Sequence, residues 1–166
     1  MEKLSFDSLV NLYTNPTLKN DWDVFTDMEE LEDLTKDCNL MKRELYKRIN
    51  DDSFCGQYAR EALESALQVG NGEIAKLIYH KVGYIEFDSE TLIQGWEKAV
   101  KSANYVRIRH YKDALELLEK KAPKLNEEIY TQSIESFKKE LKAYDSCNKS
   151  RINEFRVMIG LPPLMK

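Results

Sequence analysis

Leu34, Leu67 and Val100 stand 33 residues apart in this chain. The same interval separates Leu63 from Trp96, Ala66 from Ala99, Asn71 from Asn104, Leu45 from Ile78 and Ile78 from Tyr111. Self-similarity at a fixed interval of this size marks a repeat architecture, in which one supersecondary unit recurs because it cannot bury its apolar face alone. The unit reads as a helix, a tight turn, a second helix and a short loop. After Asn104 the inward residues fit better with one more residue in the turn, so that Ile74 corresponds to Ile108 and Leu77 to Tyr111. The final unit follows the same scheme, with Ile152 and Phe155 in those places after Asn148. Four helical hairpins of this kind account for the chain from about residue 27 to residue 164.

Apolar spacing places the individual helices. Leu4, Phe6, Leu9, Val10 and Tyr13 predict an opening helix that stops before Asn15-Pro16, because the residue before a proline is pushed out of the α region. The polar stretch from Thr17 to Phe25 carries Trp22 and Phe25 and reads as a packed loop. Thr26 and Glu29 read as a capping box opening a helix over 27–37. A separate helix over 39–50 has Leu40, Met41, Leu45 and Ile49 on its apolar side. The face Ala59, Ala62, Leu63, Ala66 and Leu67 ends at Gly70-Asn71-Gly72, and a short helix from Glu73 to Lys81 follows, with Gly83 just past its end. Asp88 or Ser89 caps a helix to about Ser102, and Asn104 starts another to about Lys121, stopped by Pro123. A helix from about Asn126 to Tyr144 and a last one from Ser150 to Ile159 complete the chain.

The stretch Ala62-Leu63-Glu64-Ser65-Ala66-Leu67-Gln68-Val69-Gly70-Asn71-Gly72-Glu73-Ile74-Ala75-Lys76-Leu77-Ile78, followed by Gly83, resembles an ankyrin repeat. That family has a 33-residue period, an alanine-rich first helix, a Gly-Asn or Gly-His turn, and an E-I-V-K-L-L second helix before a glycine. Gln94 to Lys112 resembles a weaker copy, with Ala99, Ala103 and Asn104 at the alanine, glycine and turn positions. The T-P-L-H signature is absent, Glu61-Ala62-Leu63-Glu64 and Gln94-Gly95-Trp96-Glu97 standing in its place. In that family its threonine and histidine stitch neighbouring turns together. The expected fold is all-α: stacked helical hairpins in an ankyrin-like or other α-solenoid array, the alternative being an irregular helical bundle. Residues 1–26 would form an N-terminal helix and capping segment, residues 27–166 the hairpin repeat domain, and the whole chain one compact unit.

Composition agrees with helix: six Gly and four Pro in 166 residues leave little turn material for a β-sandwich or barrel. No run of 18 apolar residues exists. The N-terminus lacks an apolar stretch with a small-residue cleavage site, so no secretory signal is expected. Cys38, Cys55 and Cys147, an odd number at wide spacing, make no disulfide framework and fit a reduced, cytoplasmic setting, each as a small buried hydrophobe. The net charge of −4 is unevenly spread: residues 1–36 carry −6, residues 37–100 carry −3 and residues 101–166 carry +5. Such asymmetry marks separate partner surfaces or simply solvated helix faces.

No catalytic motif stands out, and no metal or cofactor is implied. Neither His80 nor His110 has another His or a Cys within ten residues, and metal sites need clustered ligands. His80 sits at a helix C-terminus, where an imidazolium favours the dipole, and His110 reads as a surface or capping residue. Nucleophile-elbow, Walker, zinc-protease and dinucleotide patterns are all missing.

The expected function is therefore a non-enzymatic protein–protein interaction module, as the resemblance also implies. Ankyrin repeats bind other proteins along their turns and first helices. Transferred to this chain, that surface comprises Gln57, Tyr58, Glu61, Glu64 and Gln68 in one unit and Glu90, Gln94, Glu97 and Lys101 in the next. An acidic protein of this type could act as an inhibitor or accessory factor of viral or phage kind, in the host cytoplasm, occupying a basic surface on its partner. Trp22 and Phe25 would cap the array or grip a partner. The alternative is nucleic-acid binding by the basic half, where Tyr105, Arg107, Arg109, His110, Tyr111 and Lys112 interleave cations with rings, and Lys138, Lys142 and Arg151 add charge. Against it stand an acidic pI near 5.4 and the core position of Tyr111.

Overall fold

The computed structural model describes residues 4–14, 28–83, 85–141 and 145–164; Trp22, Phe25, Thr26 and Lys142 lie outside the described residues. Among the described residues there are eight α-helices and no strand. They are α1 (Phe6–Thr14), α2 (Met28–Asn50), α3 (Gly56–Val69), α4 (Gly72–Val82), α5 (Ser89–Lys101), α6 (Tyr105–Leu117), α7 (Glu127–Glu140) and α8 (Asp145–Met158). None is long and apolar enough to cross a membrane.

The junction between α3 and α4 shows why two helices follow each other with so little chain between them. Gly70 turns left-handed (φ +79°), a conformation that glycine adopts without steric cost, and its N–H bonds the carbonyl of Leu67 at 3.1 Å. Asn71 is already extended, and its Oδ1 accepts from the N–H of Ile74 at 2.9 Å, capping α4. One interval later Ala103 takes the left-handed conformation (φ 53°) and Asn104 the cap, accepting from the N–H of Arg107 at 3.1 Å. The turn geometry thus recurs although the glycine does not.

Packing is serial. Each odd-numbered helix packs on the next odd one (α1 on α3, α3 on α5, α5 on α7), and each even one on the next even one (α2 on α4, α4 on α6, α6 on α8). Within each consecutive pair, α1–α2, α3–α4, α5–α6 and α7–α8, the two helices also touch. Leu63 and Trp96, Ala66 and Ala99, and Leu67 and Val100 are all fully buried, as are Ile78 and Tyr111. Each large apolar side chain so buried contributes about 1.5–3 kcal/mol. Two glycines let the backbones close up: a Cβ on Gly95 would collide with the carbonyl of Leu67 and the ring of Tyr111, and one on Gly72 with the main chain of His110.

Several boundaries differ from expectation. The helices expected over 27–37 and 39–50 are one continuous helix, α2, because Asp37-Cys38-Asn39 contains neither proline nor glycine to break it. The partner of α2 is therefore α1. Leu34 lies on an even-row helix while Leu67 and Val100 lie on odd-row helices, so that spacing is not a structural correspondence. Leu40 is not part of the apolar side: it is 39% exposed, while Leu45 and Ile49 face the core. Helix α6 ends at Leu117, short of Lys121, because Glu119 turns left-handed (φ 57°) before Pro123 is reached. Helix α8 begins at Asp145 rather than Ser150. Neither Cys38 nor Cys55 is in a disulfide; Cys38 is half-buried and Cys55, at the start of α3, is exposed rather than a buried hydrophobe.

Candidate interaction surface

The nine residues expected to meet a partner fall on α3 and α5, neighbours in the odd row. Gln57, Tyr58, Glu61, Glu90, Gln94 and Lys101 are exposed, and Glu64, Gln68 and Glu97 are half-buried. Several are braced along their own helices at one-turn spacing. Gln57 Nε2 donates to Glu61 Oε1 at 3.2 Å, Gln68 Nε2 to Glu64 Oε1 at 3.3 Å, and Lys101 Nζ pairs with Glu97 Oε1 at 2.9 Å. Tyr58 packs edge-on against Phe54 and Phe6, ring centroids 5.2 and 6.4 Å away, and keeps its rim in solvent. The surface is thus a row of pre-set carboxylates and amides with one aromatic edge beside them.

The basic run of the C-terminal half is divided by the fold. Arg107 is turned inward: its guanidinium donates to the carbonyls of Val69 (2.5 Å) and Gly70 (3.3 Å), closing the C-terminal end of α3. Burial draws its pKa down to about 10. The guanidinium expected to meet phosphate is thus turned to main-chain carbonyls of its own chain. Arg109 and Arg151 are exposed. Lys112 Nζ reaches the carbonyl of Met158 at 3.3 Å, and Lys138 Nζ pairs with Glu135 at 3.6 Å. Tyr111 is in the core, its hydroxyl donating to the carbonyl of Leu92 at 2.7 Å and pushed up by burial. Tyr105, 39% exposed, keeps a partly free ring.

A polar centre that no sequence pattern announced lies where α1, α2, α4 and α6 meet. A cavity of about 370 Å³ there is lined by Tyr13, Lys42, Asn71, Glu73, Asn104 and His110 among others. Glu73 accepts from the hydroxyls of Tyr13 (2.9 Å) and Tyr46 (3.0 Å) and pairs with Lys42 Nζ at 3.3 Å. Burial alone would raise its carboxyl; the bonds from Tyr13 and Tyr46 and the charge of Lys42 outweigh that and lower it. Burial and then Glu73 push the Tyr46 phenol up to about 12, and Tyr13 higher still. Nearby, Lys76 Nζ stands 2.9 Å from His110 Nδ1 and 3.4 Å from Asp113 Oδ2. Burial, and then Lys76, hold the His110 imidazole below its ordinary value. His110 is therefore a half-buried link between α4 and α6 rather than a surface residue, whereas His80 is exposed in the last turn of α4. Asn71 completes the set, its Nδ2 donating to Thr14 Oγ1 at 2.9 Å. The signal in the sequence was slight: an acid in the first turn of a helix, and tyrosines 60 and 27 residues away from it.

No protein-family model, no curated protein and no solved structure matches this chain.

Proposed function

We propose that the chain is a non-enzymatic, cytoplasmic interaction protein, built as an ankyrin-like stack of helical hairpins, that binds a partner protein across the exposed residues of α3 and α5. The observation that carries this reading is the adjacency of those two helices, which sets Gln57, Glu61, Glu90, Gln94 and Lys101 out on neighbouring elements over a fully buried core. A serial stack has this virtue generally: core positions hold the units together while the outward positions of successive units stay free to match a partner. Four of the nine surface residues are glutamates against a single lysine, so the partner's complementary surface is basic. Occupying such a surface is how an inhibitor or accessory factor would act.

The test is capture from the native cell lysate by the wild-type chain and by the triple variant Glu61→Lys, Glu64→Lys, Glu97→Lys, each with and without nuclease. A stoichiometric protein that survives nuclease and is lost with the triple variant, while its circular dichroism stays helical, is the expected result. Unchanged capture by the folded variant would remove the α3–α5 assignment. Loss of all bound material on nuclease treatment would transfer function to Arg109 and Arg151 on the basic half.

A further inference from the structure

The cavity where α1, α2, α4 and α6 meet has no part in the α3–α5 reading, and none of the nine residues of that surface lines it. Its volume of about 370 Å³ falls in the range of small-molecule sites. A void left by imperfect packing is apolar, whereas this wall carries Tyr13, Lys42, Asn71, Glu73, Asn104 and His110. Its carboxylate is already engaged, the two oxygens of Glu73 taking the hydroxyls of Tyr13 and Tyr46 and the ammonium of Lys42. Its donors are not. The Lys42 ammonium has three N–H groups, of which Glu73 takes one. Lys76 can only donate, so His110 Nδ1, 2.9 Å from it, accepts, and the imidazole proton sits on Nε2. Asn104 uses its Oδ1 on the N–H of Arg107, and its amide nitrogen has no partner among the described residues. Gly72 fixes the place of His110, because α4 approaches its main chain so closely that a Cβ would collide. Of the residues lining the cavity, Lys42 and Arg107 are cations and Glu73 the one acid, so the wall is net positive in a chain of net charge −4.

We propose that this cavity binds a small phosphate monoester, whose phosphoryl oxygens are taken by Lys42 Nζ, His110 Nε2–H and the Asn104 amide. Three donor groups around one space suit the three terminal oxygens of a phosphoryl group, whereas a carboxylate offers two in one plane. Hydrogen bonds from an ammonium to such an oxyanion are charge-assisted and are the strong ones of the set. Glu73 serves the site indirectly. Held by two phenols, it keeps Lys42 at the cavity wall, and the Tyr46 ring, 5.6 Å from Lys42 Nζ, supports the same ammonium. Arg107 contributes its charge, while its hydrogen bonds go to Val69 and Gly70. A bare phosphate leaves most of the volume empty, and the organic body of an ester takes up the rest against Tyr13, Thr14 and the exposed Val106. The α3–α5 surface stays open to its own partner while the cavity is filled.

The chain has two histidines, so nitrogen NMR of the imidazoles reads the site directly, with the exposed His80 as internal control. The full chain is titrated at about pH 8, where the imidazole is neutral, and at constant ionic strength, with inorganic phosphate, ribose 5-phosphate and acetate in turn. Both phosphates are expected to move the Nε2 resonance of His110 saturably and to leave His80 in place. Ribose 5-phosphate should bind about tenfold more tightly than phosphate, and acetate more weakly than either. Lys42→Gln should weaken ribose 5-phosphate by about tenfold or more, whereas Arg43→Gln, one residue on and outside the lining, should leave it unchanged. Asn104→Asp separates ligand from fold: the carboxylate still caps α6, but it replaces the amide donors with a charge of the ligand's own sign. That variant is expected to keep the wild-type urea midpoint and lose phosphate binding. No saturable movement of His110, equal movement of His80, acetate binding as tightly as phosphate, or undiminished binding by either Lys42→Gln or Asn104→Asp would each overturn the proposal.

Discussion

At the scale of single residues, the fold reassigns side chains whose type alone pointed elsewhere. Arg107 has the chemistry of a phosphate ligand, but its planar fork caps the carbonyls that end α3. Arg107→Ala is therefore expected to cost about 1–3 kcal/mol in urea denaturation, the penalty for leaving part-buried acceptors unpaired. Arg107→Lys should rescue little, since an ammonium cannot span two carbonyls as a fork does. A nucleic-acid role would give the opposite pattern, normal stability with lost binding. His110 makes the second argument. Its folded pKa lies below the ordinary 6.5, because burial and Lys76 disfavour the imidazolium. The unfolded chain then binds more protons over the window just below pH 6.5, so this group's contribution, fully present above that value, is lost as pH falls through the folded pKa. The urea midpoint of wild type should drop between about pH 7 and about pH 5 by more than that of His110→Gln, which keeps an acceptor for Lys76 without titrating. Equal slopes for the two proteins would remove His110 from the account.

At the scale of elements, the starts of helices were the most legible feature of the sequence. Asp88 caps and Asn104 starts a helix as the pattern of polar residue before apolar run places them, and the caps Asn71 and Asn126 stand within two residues of the helix starts read from it. Ends and continuities were harder. Helix α2 runs through position 38 because nothing there forbids helix, and a break read from side-chain spacing alone had no steric cause behind it. Glu119 ends α6 in a conformation that a glutamate rarely takes, so its residue type carries no hint of the turn. The polar centre was illegible for another reason: Tyr13, Tyr46 and Glu73 are far apart in sequence and come together only once α1, α2 and α4 have packed. The two asparagine caps separate these levels experimentally. Asn104→Ala loses a cap at an exposed position and should cost about 1 kcal/mol. Asn71→Ala loses a buried cap and a part-buried bond to Thr14, and should cost about 2 kcal/mol or more in the same assay. Equal costs would mean that the α1–α4 tie contributes nothing to stability.

At the scale of the whole molecule, serial packing limits how far a local defect spreads. α7 touches α5 and α8, and α8 touches α6 and α7, whereas α3 and α4 meet neither as principal neighbours. Phe155 and Phe137 lie face to face at 4.3 Å and 6°, and Phe155 is fully buried, so this stacked pair is an apolar tie between α7 and α8. Phe155→Ala should remove about 3–5 kcal/mol from that pair, the usual sum of lost burial and residual cavity. In a chain stabilised by nearest-neighbour contacts, that loss stays largely where it is made. Native-state hydrogen exchange should then show amides of α7 and α8 opening much faster, while those of α3 and α4 keep most of their protection behind the packed Leu63, Trp96 and Ile78. A bundle with one indivisible core would behave differently, because every slowly exchanging amide would lose the same free energy at once. Uniform loss across α3 to α8 would therefore count against the stacked-hairpin reading, and with it against an α3–α5 surface whose exposure depends on that stacking.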